Sequence, residues 1–299
     1  MKTIIIAGGS GFLGQVLENH FTKIGYAVKI LTRNPKKENH IFWDAKTIGK
    51  WTNELERIEV LINLSGKSVD CRYTDKNKKE IYDSRIDSTQ VLGKAIQQCE
   101  RPPKVWMNAS TATIYRHSLD KEMTEKNGEV GIDFSMNIAK SWEKAFNEFK
   151  APETRKVILR TSIVLGKNGG AFIPLKTLAK FGLGGKQGNG NQKVSFIHEE
   201  DFARAIEFIL NHNELNGIFN VTAPNPTINK TLMNVIRKEM GMPLGISHPS
   251  WLLEIGAKII GTETELVLKS RNVIPERLLG SGFVFNHPTI ENTMSNLLN

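Results

Sequence analysis

Short runs of apolar, mostly β-branched residues alternate with segments of helical periodicity along the first half of the chain. The helical periodicity covers residues 12–24, 76–98 and 135–149, which we interpret as helices. The apolar runs between them are continuous, as is typical of strands buried on both faces of a sheet. These runs are TIIIA, AVKILT, EVLINL, KVWMNAS and KVILRTSIVL. The alternation predicts an α/β fold with a doubly wound parallel sheet of the Rossmann type.

The pattern changes after residue 166. The segment FGLGGKQGNGNQ, residues 181–192, contains five glycines and predicts a loop or ribbon outside the sheet. The helix-like EEDFARAIEFILNH and the strand-like GIFNVTA then predict one more strand, and the remainder of the chain is mostly helical. We therefore expect two domains. They are a Rossmann domain, 1–165 rejoined by 200–222, and a smaller, mostly helical substrate-side domain, 166–199 with 223–299.

Composition places the chain among ordinary globular proteins. Of its 299 residues, 39% are hydrophobic and 24% are charged. The apolar run in the opening MKTIIIAGG is about five residues long, too short for a signal peptide or a membrane span. Cys71 and Cys99 have no metal-ligand spacing and cannot form a disulfide framework. We expect a cytoplasmic protein with no metal ion and no membrane partner.

The positive charge does not indicate a nucleic-acid-binding protein. The formal net charge is +9, but the lysines are mostly interleaved with acidic residues, as in DKNKKE at 75–80. Such interleaving is typical of the solvated face of a helix. A basic surface is equally compatible with attraction of a multiply phosphorylated small molecule. The expected partner is therefore a small-molecule substrate, with no nucleic acid.

The most specific motif is a glycine-rich turn after the first strand. TIIIA runs directly into GGSGFLG, which places three glycines at intervals of three before the first helix. In dinucleotide-binding folds the first glycine permits a sharp turn, the second lets the backbone approach a pyrophosphate, and the third permits close helix packing. Backbone N–H groups and the positive helix end then face the phosphates. The predicted cofactor-binding residues of this turn are Gly8, Ser10, Gly11, Phe12, Leu13 and Gly14.

The end of the second strand predicts which nicotinamide cofactor binds. AVKILT is followed by Arg33, nineteen residues beyond Gly14. An acidic residue there would hold the ribose 2′-hydroxyl of NAD, whereas an arginine accommodates the 2′-phosphate of NADP. A hydrogen bond between a guanidinium and a phosphate is charge-assisted. We therefore expect NADP (NADPH) as the cofactor, and we interpret Lys36 and Lys37 as solvated loop residues.

Further motifs along the chain resemble those of a known superfamily. They are NLSG at 63–66, DSRIDSTQVL at 83–92, NAS at 108–110, the WE pair at 142–143, RTSIVLGKNGGAF at 160–172, SFIHEEDFARAI at 195–206 and the C-terminal stretch 249–285. With the glycine turn, they resemble the extended and atypical short-chain dehydrogenase/reductases, the superfamily of nucleotide-sugar epimerases and dehydratases. Within it the chain is similar to the YfcH-like branch of nucleoside-diphosphate-sugar epimerases. The resemblance covers nearly the whole chain and implies fold and cofactor more securely than reaction.

The resemblance also implies roles for individual residues. Ser110 falls where the superfamily's catalytic serine or threonine lies. Three residues at a strand end are implied to lie beside the nicotinamide ribose, and two others to lie on the substrate side. Without the resemblance, the strand-end residues would be interpreted as turn formers and His198 as a structural hydrogen-bonding residue. The implied positions are Asn63, Ser65 and Gly66 for the cofactor, and His198 and Asn220 for the substrate.

The catalytic tyrosine of this superfamily is missing. It lies four residues before a lysine, on the helix that here reads DFSMNIAKSWE at 133–143. Counting back four residues from Lys140 gives Met136. Related enzymes often carry an acidic residue four positions after the lysine, and counting back from Glu143 gives Ala139 and then Ser135, so neither register contains a tyrosine. Loss of a general acid lowers a rate roughly 10²- to 10⁴-fold unless another group replaces it.

Three residues are candidates for the remaining chemistry. Tyr115 follows Ser110 by five residues, on the loop beyond the strand end, and is the first candidate for the acid or base; the alternative is substrate stacking or loop packing. Glu143 is the second candidate, and its alternative is a structural hydrogen bond or salt bridge. Arg85, in DSRIDS, either pairs with an acidic substrate or forms a sheet-spanning salt bridge.

Two functions are open from the sequence. The first is an NADP(H)-dependent oxidoreductase or epimerase-like enzyme with a nonstandard proton donor. Analogy with the family alone suggests that its substrate is a nucleotide sugar. The second is a catalytically inactive NADP(H)-binding scaffold or redox sensor. The sequence does not distinguish epimerisation from net reduction. A homodimer through the helices at 76–98 and 134–149 is also open, although their apolar faces are needed to cover the sheet.

Overall fold

The apolar runs of the first half form strands of one parallel sheet. The structure, a computed structural model, describes residues 2–261 and 263–299; Met1 and Thr262, which belong to the first and last sequence segments discussed above, lie outside the described residues. The strands are β1 Thr3–Ala7, β2 Ala27–Thr32, β3 His40–Phe42, β4 Val60–Asn63, β5 Val105–Thr111, β6 Arg155–Thr161, β7 Ile163–Gly166, β8 Gly169–Gly170, β9 Lys193–Val194, β10 Phe196–His198, β11 Gly217–Val221 and β12 Thr227–Ile228. The α-helices are α1 Phe12–Lys23, α2 Asp75–Gln98, α3 Phe134–Asn147, α4 Phe172–Lys180, α5 Glu199–Asn211, α6 Asn229–Glu239, α7 Ser250–Ile260, α8 Glu265–Leu268, α9 Glu276–Gly280 and α10 Ile290–Leu298.

The strand order places a crevice beside the glycine turn. The main sheet has seven strands in the order β11-β6-β5-β4-β1-β2-β3, and every neighbouring pair is parallel. From β1 the chain first adds β2 and β3 on one side and then the other four strands on the opposite side. Doubly wound sheets bind ligands where the strand order reverses, outside the carboxyl ends of the strands. Here that point lies beyond β1 and β4, whose last residues Ala7 and Asn63 are register partners.

The sheet is covered on both faces, which explains its continuous apolar strands. Ile4 and Ile6 pack into a cluster with residues of α1 and α5, whereas Ile5 packs into another with residues of α2 and α3. All three side chains are fully buried. Consecutive side chains of a strand point to opposite faces, so a strand covered twice must be apolar throughout.

The second half of the chain adds a helical module with its own apolar cluster. Phe172, Leu232 and Met294 pack together from α4, α6 and α10. Two small sheets, β10-β7-β8 and β12-β9, lie outside the main sheet. The predicted Rossmann fold with a mostly helical C-terminal region is thus confirmed, while β3 and the shortest strands were not predicted. No helix among the described residues is long and apolar enough to cross a membrane.

Candidate cofactor and catalytic site

The three glycines of the first turn each meet a different steric demand. Gly8 has φ 72°, and a Cβ there would lie 2.7 Å from Ser65 Oγ. A Cβ on Gly14 would lie 2.0 Å from the Gly9 carbonyl oxygen, so only glycine lets α1 pack this closely against the turn. A Cβ on Gly11 would meet nothing within 4 Å. Gly11 therefore borders open space at the helix end, where a phosphate group would approach.

The N-terminus of α1 is suited to an anion. Its N-cap residue, Gly11, supplies no capping side chain, and the first turn contains no acidic residue. The first N–H groups of a helix have no partner within the helix, and the helix dipole favours negative charge beside them. Phe12 packs beneath the β7-β8 hairpin, and Leu13 packs against the core. Ser10 is exposed, and its hydroxyl accepts a hydrogen bond from Thr32 at 3.3 Å.

Arg33 follows β2 at the same edge of the sheet. Its side chain is exposed and forms no hydrogen bond or ion pair with the residues that the structure describes. Lys37, in contrast, pairs with Glu18 of α1 at 3.0 Å. The Arg33 guanidinium is therefore available to bind an external anion at this edge of the sheet.

Asn63 links the turn after β4 to the neighbouring strand and helices. Its amide nitrogen donates to Asn108 Oδ1 at 2.8 Å and to Thr89 Oγ1 at 3.2 Å. Its Oδ1 accepts the Ser65 N–H at 3.0 Å, and Thr89 also accepts from Trp142 Nε1 of α3 at 2.9 Å. The Ser65 hydroxyl is buried and has no hydrogen-bond partner within the described part of the chain. Since leaving a buried hydroxyl unpaired is unfavourable, Ser65 is a candidate contact for a ligand.

Arg85 lies beside Gly66 and bonds to backbone carbonyls, with no carboxylate partner among the residues that the structure describes. Its Nη1 donates to the carbonyl oxygens of Lys67 and Ile81, both at 3.0 Å, and its guanidinium lies 5.0 Å from the Trp142 ring centroid. A Cβ on Gly66 would lie 3.0 Å from Arg85 Cζ. Burial lowers the pKa of Arg85 to about 10. No described acidic residue forms an ion pair with it, so the sheet-spanning salt bridge considered from the sequence is not observed.

A buried row of polar side chains crosses three strands of the sheet. Ser110 on β5, Arg160 on β6 and Asn220 on β11 are register partners and share one face. Ser110 Oγ donates to Glu143 Oε1 of α3 at 2.7 Å. Arg160 donates to both Glu143 oxygens, from Nε at 2.8 Å and from Nη2 at 2.7 Å. Arg160 Nη1 also donates to the Tyr115 hydroxyl, which donates to Asn220 Oδ1, both at 2.9 Å.

These five residues, which we term the polar row, form one buried electrostatic unit. Each is at most 8% exposed, so the Glu143 carboxylate requires a charged partner. Two parallel N–H bonds from a guanidinium are a strong form of such pairing. Burial alone would lower the pKa of Arg160, but the hydrogen bonds and charge of Glu143 raise it. Arg160 was not identified from the sequence, although an arginine in the middle of KVILRTSIVL is a signal that could have revealed it.

Tyr115 is held inside the polar row. It follows the 3-10 helix Ala112–Ile114, is 1% exposed, and uses its hydroxyl both as a donor to Asn220 and as an acceptor from Arg160. Burial raises the pKa of Tyr115. This placement favours the alternative of loop packing over direct proton transfer to a substrate.

The polar row also fixes the register of α3. Lys140 is exposed to solvent, whereas Glu143 faces β5 and β6. Glu143 therefore lies on the inward face of α3, as does Ala139 four residues before it. Ala139 is fully buried in a cluster with Tyr115 and Met123.

His198 lies outside the polar row. It ends β10 and caps α5, where its Nδ1 accepts the Glu200 N–H at 3.0 Å. Its ring contacts that of His287, with centroids 3.9 Å apart. Burial and the neighbouring His287 lower the pKa of His198 to about 4. The structure thus joins Asn220 to Ser110 but leaves His198 in a second cluster.

The fold and these residues define a class of protein. A parallel sheet with three spaced glycines in its first βα turn and an uncapped helix end is a dinucleotide-binding Rossmann fold. At the end of β5, Ser110 faces Glu143 of α3. The chain belongs to the NAD dependent epimerase/dehydratase family, whose profile matches residues 4–222. Residues 248–297 match a second profile, a domain of unknown function, DUF1731.

Proteins similar to this chain carry the same family designation. Epimerase family protein YfhF of Bacillus subtilis (strain 168) is 35% identical over 301 residues, 99% of this chain and 97% of that protein. The human epimerase family protein SDR39U1, solved with NADPH, is 28% identical with a TM-score of 0.89 and 99% coverage of both chains. A nucleoside-diphosphate sugar epimerase from Corynebacterium glutamicum is 25% identical with a TM-score of 0.81, covering 99% of this chain and 58% of that chain. The family expected from the motifs, with its C-terminal module, is confirmed.

Substitution of two glycines should separate helix packing from cofactor binding. Gly14→Ala forces a Cβ against the Gly9 carbonyl, and we expect it to lower the free energy of unfolding by roughly 1–3 kcal/mol. Gly11→Ala places its Cβ in open space, so it should lose less stability and mainly weaken nucleotide binding. Urea unfolding and fluorescence titration with NADPH measure the two effects. Equal loss of stability in both variants would contradict this division of roles.

Removal of one member of the buried ion pair should be more damaging than removal of both. Arg160→Met leaves the Glu143 carboxylate buried and unpaired, and we expect it to cost about 3–5 kcal/mol of stability. The double variant Arg160→Met/Glu143→Leu removes the unpaired charge and should recover part of this loss. Urea unfolding of the wild type, both single variants and the double variant provides the comparison. Additive losses would show that the two side chains are not coupled.

Proposed function

We propose that the chain binds NADP(H) in preference to NAD(H). The uncapped helix end at Gly11, the unpartnered hydroxyl of Ser65 and the exposed Arg33 support this proposal. These groups fit a dinucleotide, because the helix end suits a pyrophosphate and an arginine in this position suits a 2′-phosphate. The presence of NADPH in the similar human protein is consistent with the same choice.

We further propose that the chain is an NADP(H)-dependent oxidoreductase or epimerase-like enzyme. A bound nicotinamide would supply or accept the hydride. The observation that carries the proposal is the 2.7 Å hydrogen bond from Ser110 Oγ to Glu143 Oε1, at the sheet edge that also carries the glycine turn. In the direction of oxidation, a substrate hydroxyl would pass its proton to Ser110 as Ser110 passes its own to Glu143. This pair would replace the Tyr-x-x-x-Lys pair of the superfamily.

Arg160 sets a limit on this chemistry. It engages both oxygens of Glu143, so acceptance of a proton by Glu143 requires that one of these charge-assisted bonds weaken. Slow turnover is the expected consequence. The same pairing, together with the lack of a tyrosine in α3, favours the second candidate function, an NADP(H)-binding scaffold or redox sensor without catalysis.

The proposed substrate is anionic, and a nucleotide sugar is the leading class. Arg85 presents beside Gly66 a guanidinium that no described carboxylate pairs with, and a substrate phosphate would pair with it. The similarity to a protein named nucleoside-diphosphate sugar epimerase is consistent with this class. Asn220 contributes to the proposed substrate site indirectly. Its side-chain amide donates to the Ile274 carbonyl oxygen at 3.0 Å and so connects the sheet to the C-terminal region. We also propose His198 as a residue of the substrate site.

Contacts with the C-terminal module support a substrate site between that module and the sheet edge. A short segment of the module, residues 263–269, reaches both the loop before α2 and the start of α3. We propose that it closes one side of the cleft between the two expected domains. Its polar contacts are Glu263 with Arg72 at 3.1 Å, Glu265 with Ser135 at 2.9 Å, and Lys269 with Asp133 at 2.5 Å.

Cofactor preference should depend on Arg33. In fluorescence titrations the wild type should bind NADPH more tightly than NADH, and Arg33→Ala should weaken NADPH binding by roughly 10- to 100-fold, as expected for loss of a charged hydrogen bond. NADH binding should hardly change. Lys36→Ala is the matched control, because it removes an exposed cation from the same loop and should leave both affinities intact. Failure of the folded, ligand-free wild type to bind either nucleotide would overturn the cofactor proposal.

Turnover should depend on Ser110 more than on Tyr115. With a panel of carbonyl substrates and NADPH oxidation as the readout, Ser110→Ala should lower kcat by roughly 10²-fold or more while NADPH affinity is retained. Tyr115→Phe removes a hydroxyl that Asn220 and Arg160 use, so it should mainly reduce stability, by about 1–3 kcal/mol. The reverse ranking would make Tyr115 the acid or base. Absence of turnover by the NADPH-bound wild type across the panel would favour the scaffold.

A further inference from the structure

A second group of side chains lies at the start of α5, outside the polar row. His198, Glu200 and His287 each bring one atom able to bind a metal within 4.8 Å of the corresponding atoms of the other two. His287 Nε2 lies 3.2 Å from Glu200 Oε2. Two of these residues come from the junction of β10 and α5, and the third precedes α10, so the group is assembled only by the tertiary fold.

His198 has a buried ring nitrogen for which the described part of the chain supplies no hydrogen-bond partner. The side chain is 3% exposed, and its Nδ1 already accepts the Glu200 N–H, which leaves Nε2 for another ligand. The Asn296 side chain approaches this ring, but no described residue meets hydrogen-bond geometry at Nε2. Buried polar atoms in native proteins rarely lack a partner. This nitrogen is therefore a candidate ligand for a metal ion.

The backbone around the group is held by a separate carboxylate. Asp201 is fully buried and accepts the N–H groups of Asn286 at 2.9 Å and His287 at 2.7 Å. Asn286 Nδ2 donates to Glu200 Oε1 at 2.8 Å, which orients the Glu200 carboxylate. Such outer contacts increase the affinity of metal sites because they hold the ligands in place. The Glu200 side chain is 46% exposed, so an ion can reach the group from solvent.

The geometry points to a Zn²⁺ site formed by His198 Nε2, His287 Nε2 and a carboxylate oxygen of Glu200. Two imidazoles and one carboxylate are a common donor set for zinc and leave a fourth position for water. Imidazole nitrogens favour Zn²⁺ over Mg²⁺ and Ca²⁺, which prefer oxygen ligands. The ion takes the place of the proton between His287 and Glu200 and fastens the segment before α10 to α5. The prediction that the chain binds no metal rested on ligand spacing along the sequence, a criterion that cannot find His287, which lies 87 residues beyond Glu200.

A zinc titration tests the site directly. Full-length protein, stripped of metals with a chelator that is then removed, is titrated with Zn²⁺ in competition with a chromophoric chelator, and one bound equivalent is expected. His287→Phe keeps an aromatic ring beside His198, and Glu200→Gln keeps an acceptor for Asn286, so both variants should fold. Each should bind Zn²⁺ roughly tenfold or more weakly. Zn²⁺ should also raise the Tm of the wild type but not of either variant.

His20→Phe is the matched control. His20 of α1 pairs at 2.7 Å with Glu207, which lies on α5 as Glu200 does, and the described residues supply no third ligand there. Replacement of His20 should therefore leave Zn²⁺ binding unchanged. Circular dichroism and urea unfolding establish that each variant is folded, and neither readout depends on the proposed cofactor or substrate. Absence of a bound equivalent in the wild type, or equal binding by the wild type and His287→Phe, would overturn the proposal. Loss of binding in His20→Phe would likewise overturn it.

Discussion

The buried charge of Glu143 is the constraint on which the arrangement of the site depends. A carboxylate removed from water must be paired and hydrogen-bonded, and Arg160 on β6 meets both of its oxygens. This pairing holds α3 over β5 and β6, and the resulting register turns Ala139 inward and Lys140 outward. The inward face of α3 thus carries an acid, and the neighbouring strand carries the arginine that neutralises it.

Side chains of α2 and α3 connect the polar row to the turn after β4. Thr89 on α2 accepts from both Asn63, at the end of β4, and Trp142, on α3. The Trp142 indole also contacts the guanidinium of Arg85. A shift of α3 would therefore disturb the turn after β4 as well as the Ser110–Glu143 bond.

The parts of the protein that could be predicted from sequence are those with a local physical cause. The glycine turn, its helix and the continuous apolar strands follow from sterics and burial within short segments, and the structure places them as expected. Four members of the polar row were named from the sequence, but their mutual contacts could not be predicted, because Ser110, Arg160 and Asn220 meet only through strand register. The two interpretations of Arg85 likewise depended on which acidic groups the fold brings near it. Strands of two or three residues, such as β8 and β10, carry too few positions for a periodic pattern.

The position of β11 in the chain has a consequence for synthesis on the ribosome. The strand β6 ends at residue 161 and its partner β11 ends at residue 221, so about 60 residues must be added before the sheet is complete. At ≈ 5–20 residues per second this takes roughly 3–12 s. During this interval β6 is an open edge with unpaired backbone groups, a template for pairing with other chains, and Tyr115 still lacks the Asn220 acceptor. The nascent protein therefore passes through an aggregation-prone stage whose length is set by the segment inserted between its last two sheet strands.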